Sequence, residues 1–211
     1  MSQVAWSAFY PDVMINVENC PEFTVDRFLR RAAIEICSQS KRLKFAMDPI
    51  STIAGHPTYD LDPDSGTDTV SILDCTLDDK PLDPIRRDEI ARFRDWTTEQ
   101  RKPTKYLMDV DDETVRFWRI PDAIYQVQIT LSLKPSQTAA GIEAWFADRY
   151  RDAIVSGALA GLHAIPKQVW SDAGLALFHD GRFQAGIRKA CADADKDGTR
   201  APLHTKKYGS A

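Results

Sequence analysis

Carboxylates at alternate positions followed by a glycine are the means by which a short loop wraps a calcium ion, and Asp193, Asp195, Asp197 and Gly198 of "DADKDG" stand in that order. Such a loop also needs an apolar eighth residue, a bidentate glutamate at the twelfth position and a helix leading out. Those places hold Arg200, His204 and a chain interrupted by Pro202. The six residues read instead as an acidic helix end stopped by Gly198. "DLDPDSG", residues 60–66, carries its glycine one place late and Ser71 where the last acid belongs, so a solvated turn is the expectation. The four histidines, His56, His163, His179 and His204, have no metal-ligand spacing and form no H-E-x-x-H pair. No G-x-S-x-G elbow, phosphate loop or dinucleotide fingerprint occurs. No catalytic residue, metal ligand or cofactor-binding residue is expected, and no cofactor.

Charge is distributed more informatively than its total. Between Asp60 and Asp83 eight aspartates (Asp60, Asp62, Asp64, Asp68, Asp74, Asp78, Asp79, Asp83) face Lys80 alone, a local net of −7. One reading is solvated loops; the other is an acidic lining or rim, of Asp60, Asp62, Asp64, Asp78 and Asp79, from which DNA phosphates are repelled. Paired carboxylates in this run also leave open a cell-envelope polysaccharide hydrolase, and "DADKDG" a calcium-dependent interaction module, as alternatives to a structural role. From Gly198 onward the sign reverses, with Arg200, Lys206 and Lys207 beside Tyr208 and no acid. That segment is expected to be an extended tail, able to cross a neighbouring subunit.

Over all 211 residues the formal net charge is −4, with 43% hydrophobic and 27% charged residues. This is an ordinary globular composition without the basic excess of a dedicated nucleic-acid or membrane-surface binder. No run reaches the roughly 18 apolar residues of a membrane span, and the N-terminus lacks the pattern of a secretory leader, so no membrane partner is expected. Cys20, Cys37, Cys75 and Cys191 are scattered and form no C-x-x-C pair. They read as reduced, mostly buried apolar residues.

The elements that must position these residues fall in three zones. After Thr24 as N-cap, Val25, Phe28, Leu29, Ala32, Ala33 and Ile36 recur at helical spacing opposite Arg27, Arg30, Arg31 and Glu35. Residues 50–135 read as strands: "IYQVQITLSL" alternates apolar and polar, "KYLMDV" and "TVRFWRI" form a hairpin, "TVSILDCTLDDKPLD" turns at Asp78-Asp79-Lys80, and "RRDEIARFRDW" crosses as a helix with Ile90, Phe93 and Trp96 inward. A third zone runs as helix from Gly141 to Ile165, breaks at Pro166, and restarts after Ser171 to about Ala194. Between Ala153 and Ile165 only Ser156 and His163 are polar, so that rod must be buried all round. Gly157 and Gly161, one turn apart, each cost about 1 kcal/mol relative to alanine in a helix, a cost that close approach of a neighbouring helix offsets. Trp170 covers the corner.

The run "FADRYRDAIVSGALAGLHAIPKQVWSDAGLALFHDGRFQAGIRKA", with the Cys20-Pro21 start before "LRRAAIEIC", the Pro166-to-"WSD" corner and the final "FQAGI" helix, resembles the head-to-tail adaptor proteins of tailed bacteriophages, the group that includes the tail tubular protein A type. The resemblance covers both helical zones. It implies an α+β fold: a helical bundle formed by the N-terminal and C-terminal helices, with an inserted antiparallel β-rich domain. The corresponding boundaries are 1–48, 49–138, 139–197 and, for the tail, 198–211. It further implies a virion protein of the head–tail junction, assembled in the host cytoplasm as a homo-oligomeric ring of twelve copies. Its partners would be its own copies, the portal protein and a downstream tail or nozzle protein, with DNA passing through unbound. Interface positions under this resemblance are Gly157, Gly161, Trp170, Arg200, Lys206, Lys207 and Tyr208.

Overall fold

The structure is a computed structural model and describes residues 2–92, 98–109 and 113–196. Its strands are β1 (Gln3–Ala5), β2 (Lys44–Ala46), β3 (Ile50–Ser51), β4 (Thr58–Asp60), β5 (Thr67–Leu77), β6 (Lys80–Pro81), β7 (Asp83–Pro84), β8 (Lys105–Met108), β9 (Thr114–Trp118), β10 (Gln126–Pro135) and β11 (Gly141–Glu143). The helices are α1 (Tyr10–Met14), α2 (Glu22–Ser40), α3 (Arg87–Ile90), α4 (Ala144–His163) and α5 (Ala173–Asp195).

The expected helical bundle with an inserted β-rich domain is overturned. Among the described residues the chain is a mixed helix-and-sheet protein, with eleven strands in three sheets and five helices. Strands begin at residue 3, ahead of every α-helix, and β1 pairs antiparallel with β11, Val4 opposite Ile142. The expectation failed because strands of two or three residues carry no periodicity to detect, and β1 and β11 exist only through each other. Gly141 was expected to open a helix. It lies in β11, and a Cβ there would collide with the Val4 carbonyl, so glycine admits the partner strand.

Residues fall into two units by their contacts: 2–5 with Leu43–Glu143, and Trp6–Arg42 with 144–196. In the first, one sheet runs β2-β10-β5-β6, with β3 also on β10, and another runs β4-β9-β8-β7. The alternation of β10 buries Val127, Ile129, Leu131 and Leu133. Ser132, expected on the polar face, is also buried, because the β10–β5 ladder shifts register on both sides of it. Such an irregularity lets consecutive side chains turn inward. Ile85, Ile90, Leu107 and Trp118 form a further buried cluster. The helix expected at "RRDEIARFRDW" is α3 alone among the described residues, with Ile90 inward; Phe93 and Trp96 lie outside them.

In the second unit α2, α4 and α5 pack on one another. Val25, Leu29, Ala32, Ala33 and Ile36 make the buried face of α2. Thr24 is not its N-cap: Pro21 holds that place, and the Thr24 amide donates to the Pro21 carbonyl at 2.9 Å. α5 is capped by Asp172, its carboxylate accepting from the Leu175 amide at 2.9 Å. Replacing Asp172 by alanine leaves that amide unpaired. A loss of about 1 kcal/mol is expected, read as a lower unfolding midpoint at unchanged denaturant slope; an unchanged midpoint would show the cap to be idle.

Candidate assembly surface

Helix α4 is the element on which the site depends. It is interrupted at Tyr150, whose φ of −117° and ψ of 18° are not helical. Just there, Asp193 of α5 accepts hydrogen bonds from the Tyr150 hydroxyl at 3.1 Å and Arg149 Nε at 3.0 Å, and its carboxylate lies 2.9 Å from an Arg149 terminal nitrogen. Burial pushes the Asp193 carboxyl up, but its bonds to Arg149 and Tyr150 and the Arg149 charge outweigh this, and it settles below the ordinary carboxylate range. Asp193 is thus a clasp between α4 and α5. Asp193 and Asp195 are both helical, so the loop that a calcium site needs is not formed across them; Asp197 lies outside the described residues. Among the described residues no three His, Cys, Asp or Glu side chains are grouped to hold a metal ion.

Beyond the break, Ala153, Ile154, Ala158, Leu159 and Leu162 are buried. The glycines of the rod meet helices of the same chain. A Cβ on Gly157 would lie 2.7 Å from the Phe183 ring of α5 and 2.8 Å from the Ala32 Cβ of α2. One on Gly161 would strike the Phe28 ring, and Gly186 of α5 stands against Ala153 in the same way. Real Cβ atoms do not approach so closely, so these three glycines set the spacing of α2, α4 and α5.

Gly157 and Gly161 also line a groove of about 610 Å³, with Phe28, Ala160, Ala164 and Leu177 among its walls and Arg31, Glu35 and Asp180 contributing charge. Near it the first turns of α5 leave Leu177 75% and Phe178 58% exposed, and Val169 of the corner is 94% exposed. Large apolar side chains left this open mark interaction surfaces when they gather. Trp170 is half-buried, and its carbonyl lies 2.7 Å from Nδ1 of His163. Arg200, Lys206, Lys207 and Tyr208 lie outside the described residues.

The acidic residues are not brought together. Asp60 ends β4, and Asp62 and Asp64 stand in the loop that enters β5, where the Asp64 carboxylate accepts from the Ser65 amide at 3.0 Å. Asp78 and Asp79 form the turn after β5, both in the left-handed region at φ 49° and 62°. The 11 residues of β5 separate the two groups, about 36 Å of extended chain. Asp78 is moreover engaged: it accepts from Lys102 at 2.6 Å and from the Gln126 amide at 3.1 Å, and these bonds hold its carboxyl below the ordinary range. Asp60 and Asp68 share a cavity of about 570 Å³ with Glu113 and Lys134.

Sequence reasoning placed Phe28 and Ala32 on the apolar face of their helix but missed that they, with Phe183 and Gly186, make the glycine contacts; helical spacing was the only hint. No helix among the described residues is long and apolar enough to cross a membrane. No curated protein matches the chain. The family model described as SU10 adaptor protein matches residues 9–206, a span that takes in α2, both sheets built on β10 and β9, and the α4–α5 pair. The chain belongs to this phage head-to-tail adaptor family.

Proposed function

We propose that the chain is a ring-forming adaptor subunit, twelve copies of which join the portal to the tail and continue the DNA channel, and that it acts without catalysis. The family match over residues 9–206 carries this reading, since the family is one of structural phage proteins associated with portal and tail at the head–tail junction. The groove beside Gly157 and Gly161, the Trp170 corner and the exposed Leu177 and Phe178 supply an apolar face for the next copy or the portal. The cations of the C-terminal segment, Arg200, Lys206 and Lys207, with Tyr208, supply a second contact. The two acidic groups at the ends of β5 each present carboxylates that repel passing DNA rather than hold it.

Deleting residues 199–211 tests the reading. The truncated chain is expected to melt within about 1 °C of the full chain, yet to lose most of its binding to rings of the portal protein in co-sedimentation and electron micrographs. A ring is expected from the full chain mixed with portal, and its rotational symmetry is read from the same images. Absence of any portal complex with the full chain would overturn the function, whereas normal attachment of the truncated chain would overturn only the role of the tail.

A further inference from the structure

Two histidines are buried where α4 meets α5, His163 at 2% and His179 at 9% exposure. Their rings are stacked, with centroids 5.7 Å apart and planes 15° from parallel. The edge of Phe178 meets His179 at 5.2 Å between centroids. His163 Nδ1 lies 2.7 Å from the Trp170 carbonyl, which only accepts, so that nitrogen carries a proton and donates it. In the neutral ring Nε2 is then a bare lone pair. It is buried without a hydrogen-bond partner among the described residues, and so are Nδ1 of His179 and Nε1 of Trp170.

This arrangement opposes a second proton on His179, because a proton on its Nδ1 would be a buried N–H with no acceptor. The neighbouring charges do not relieve this. Arg182 on α5 adds a like charge to that of His163, and with burial, the largest cause, these hold His179 below its ordinary value near 6.5. Arg31 and Glu35 of α2 and Asp180 of α5 line the neighbouring groove, Lys167 in the corner is exposed, and Asp172 is engaged with the Leu175 amide. His179 is the ring that resists the proton.

We infer that the His163–His179 stack is an acid-sensitive latch, whose protonation separates α5 from the end of α4 and releases the Pro166–Trp170 corner. The sign follows from linkage. A base held below its ordinary value in the folded chain binds more protons when released, so the latch is fully closed at and above about pH 6.5 and weakens as pH falls from there toward the folded value. The corner is tied to the stack directly, since the Asp172 amide donates to the His163 carbonyl at 3.1 Å and His163 to that of Trp170.

Hydrogen exchange of the full chain at pH 7.5 and 5.5, corrected for intrinsic rates, tests this. Peptides spanning 163–180 are expected to lose up to about tenfold protection at pH 5.5, one unit below 6.5, through His179, while peptides of α2 hold theirs. His163→Gln, which keeps a donor for the Trp170 carbonyl, combined with His179→Leu should abolish that pH dependence. Equal protection of 163–180 at both pH values in the native chain, or the same acid loss in the double variant, overturns the latch. NMR titration of the native histidines gives a readout that needs no variant: His179 is expected to titrate below 6.5, and titration at or above 6.5 overturns the proposal equally.

Discussion

Leucine at Gly157 is expected to destabilise the helical unit by about 3 kcal/mol or more, and leucine at Gly161 by a similar amount, because each puts a first carbon where a neighbouring side chain already stands. At Gly157 the first added carbon already lies 2.7 Å from the Phe183 ring and 2.8 Å from Ala32. Phe183 is buried, and Ala32 has no torsion by which to withdraw. At Gly161 the obstacle is Phe28, a half-buried ring with somewhat more freedom to turn. The loss at 161 should therefore not exceed that at 157. For a chain of this length about 2–4 °C of melting temperature goes with each kcal/mol, so a fall of roughly 6–12 °C is anticipated at position 157. Melting within about 1 °C of the native chain for both variants would show that α2, α4 and α5 do not hold one another at the glycines.

Removing the ring of Phe146 is expected to cost more, about 3–5 kcal/mol, which is the range for a buried aromatic truncated to alanine. Phe146 is fully buried, and its ring lies 4.8 Å from Tyr150 and 5.5 Å from Trp145 between centroids. Those partners cannot follow the missing ring inward: Tyr150 is tethered through its hydroxyl to Asp193, and Trp145 has the Arg42 guanidinium 5.7 Å from its centroid. A cavity remains where neighbours are held from collapsing into it. Phe146→Ala should lower melting by at least about 6 °C, against a shift near zero for Leu177→Ala, whose side chain is 75% exposed. Equal melting of the two variants would show that the segment before the α4 break carries none of the unit's stability.

Much of the local structure was legible because its cause is local. Helical spacing from Val25 to Ile36 and alternation from Val127 to Leu133 each reflect one element burying one face. Glycines one turn apart in a charge-poor helix announced a close approach, since nothing else offsets their cost. What they approach was not legible. Phe28, Ala32 and Phe183 are between 26 and 133 residues away in sequence from the glycines they meet, and no spacing rule connects them.

Two readings failed for one reason. Gly141 looks like a helix start until Val4 arrives as its strand partner. Ser132 belongs to the polar face until the register with β5 shifts on either side of it. Asp193, read as part of an acidic helix end, does lie in the helix, but its partners Arg149 and Tyr150 stand more than 40 residues earlier, where spacing does not reach. The acidic run from Asp60 to Asp83 is continuous as text and divided in space, because an extended strand carries its two ends apart by about 3.3 Å per residue.

The sequence by itself determined the adaptor resemblance, the charge-poor rod, the Pro166 break and strands within "TVSILDCTL" and "IYQVQITLSL", all set by backbone geometry and the burial of single faces. Only the tertiary structure decided that strands begin at residue 3 and fall in three sheets, that Asp193 clasps α5 to α4, and that His163 and His179 stack. Each of those depends on a pairing between distant residues, and a pairing acquires its free energy only when both partners are in place.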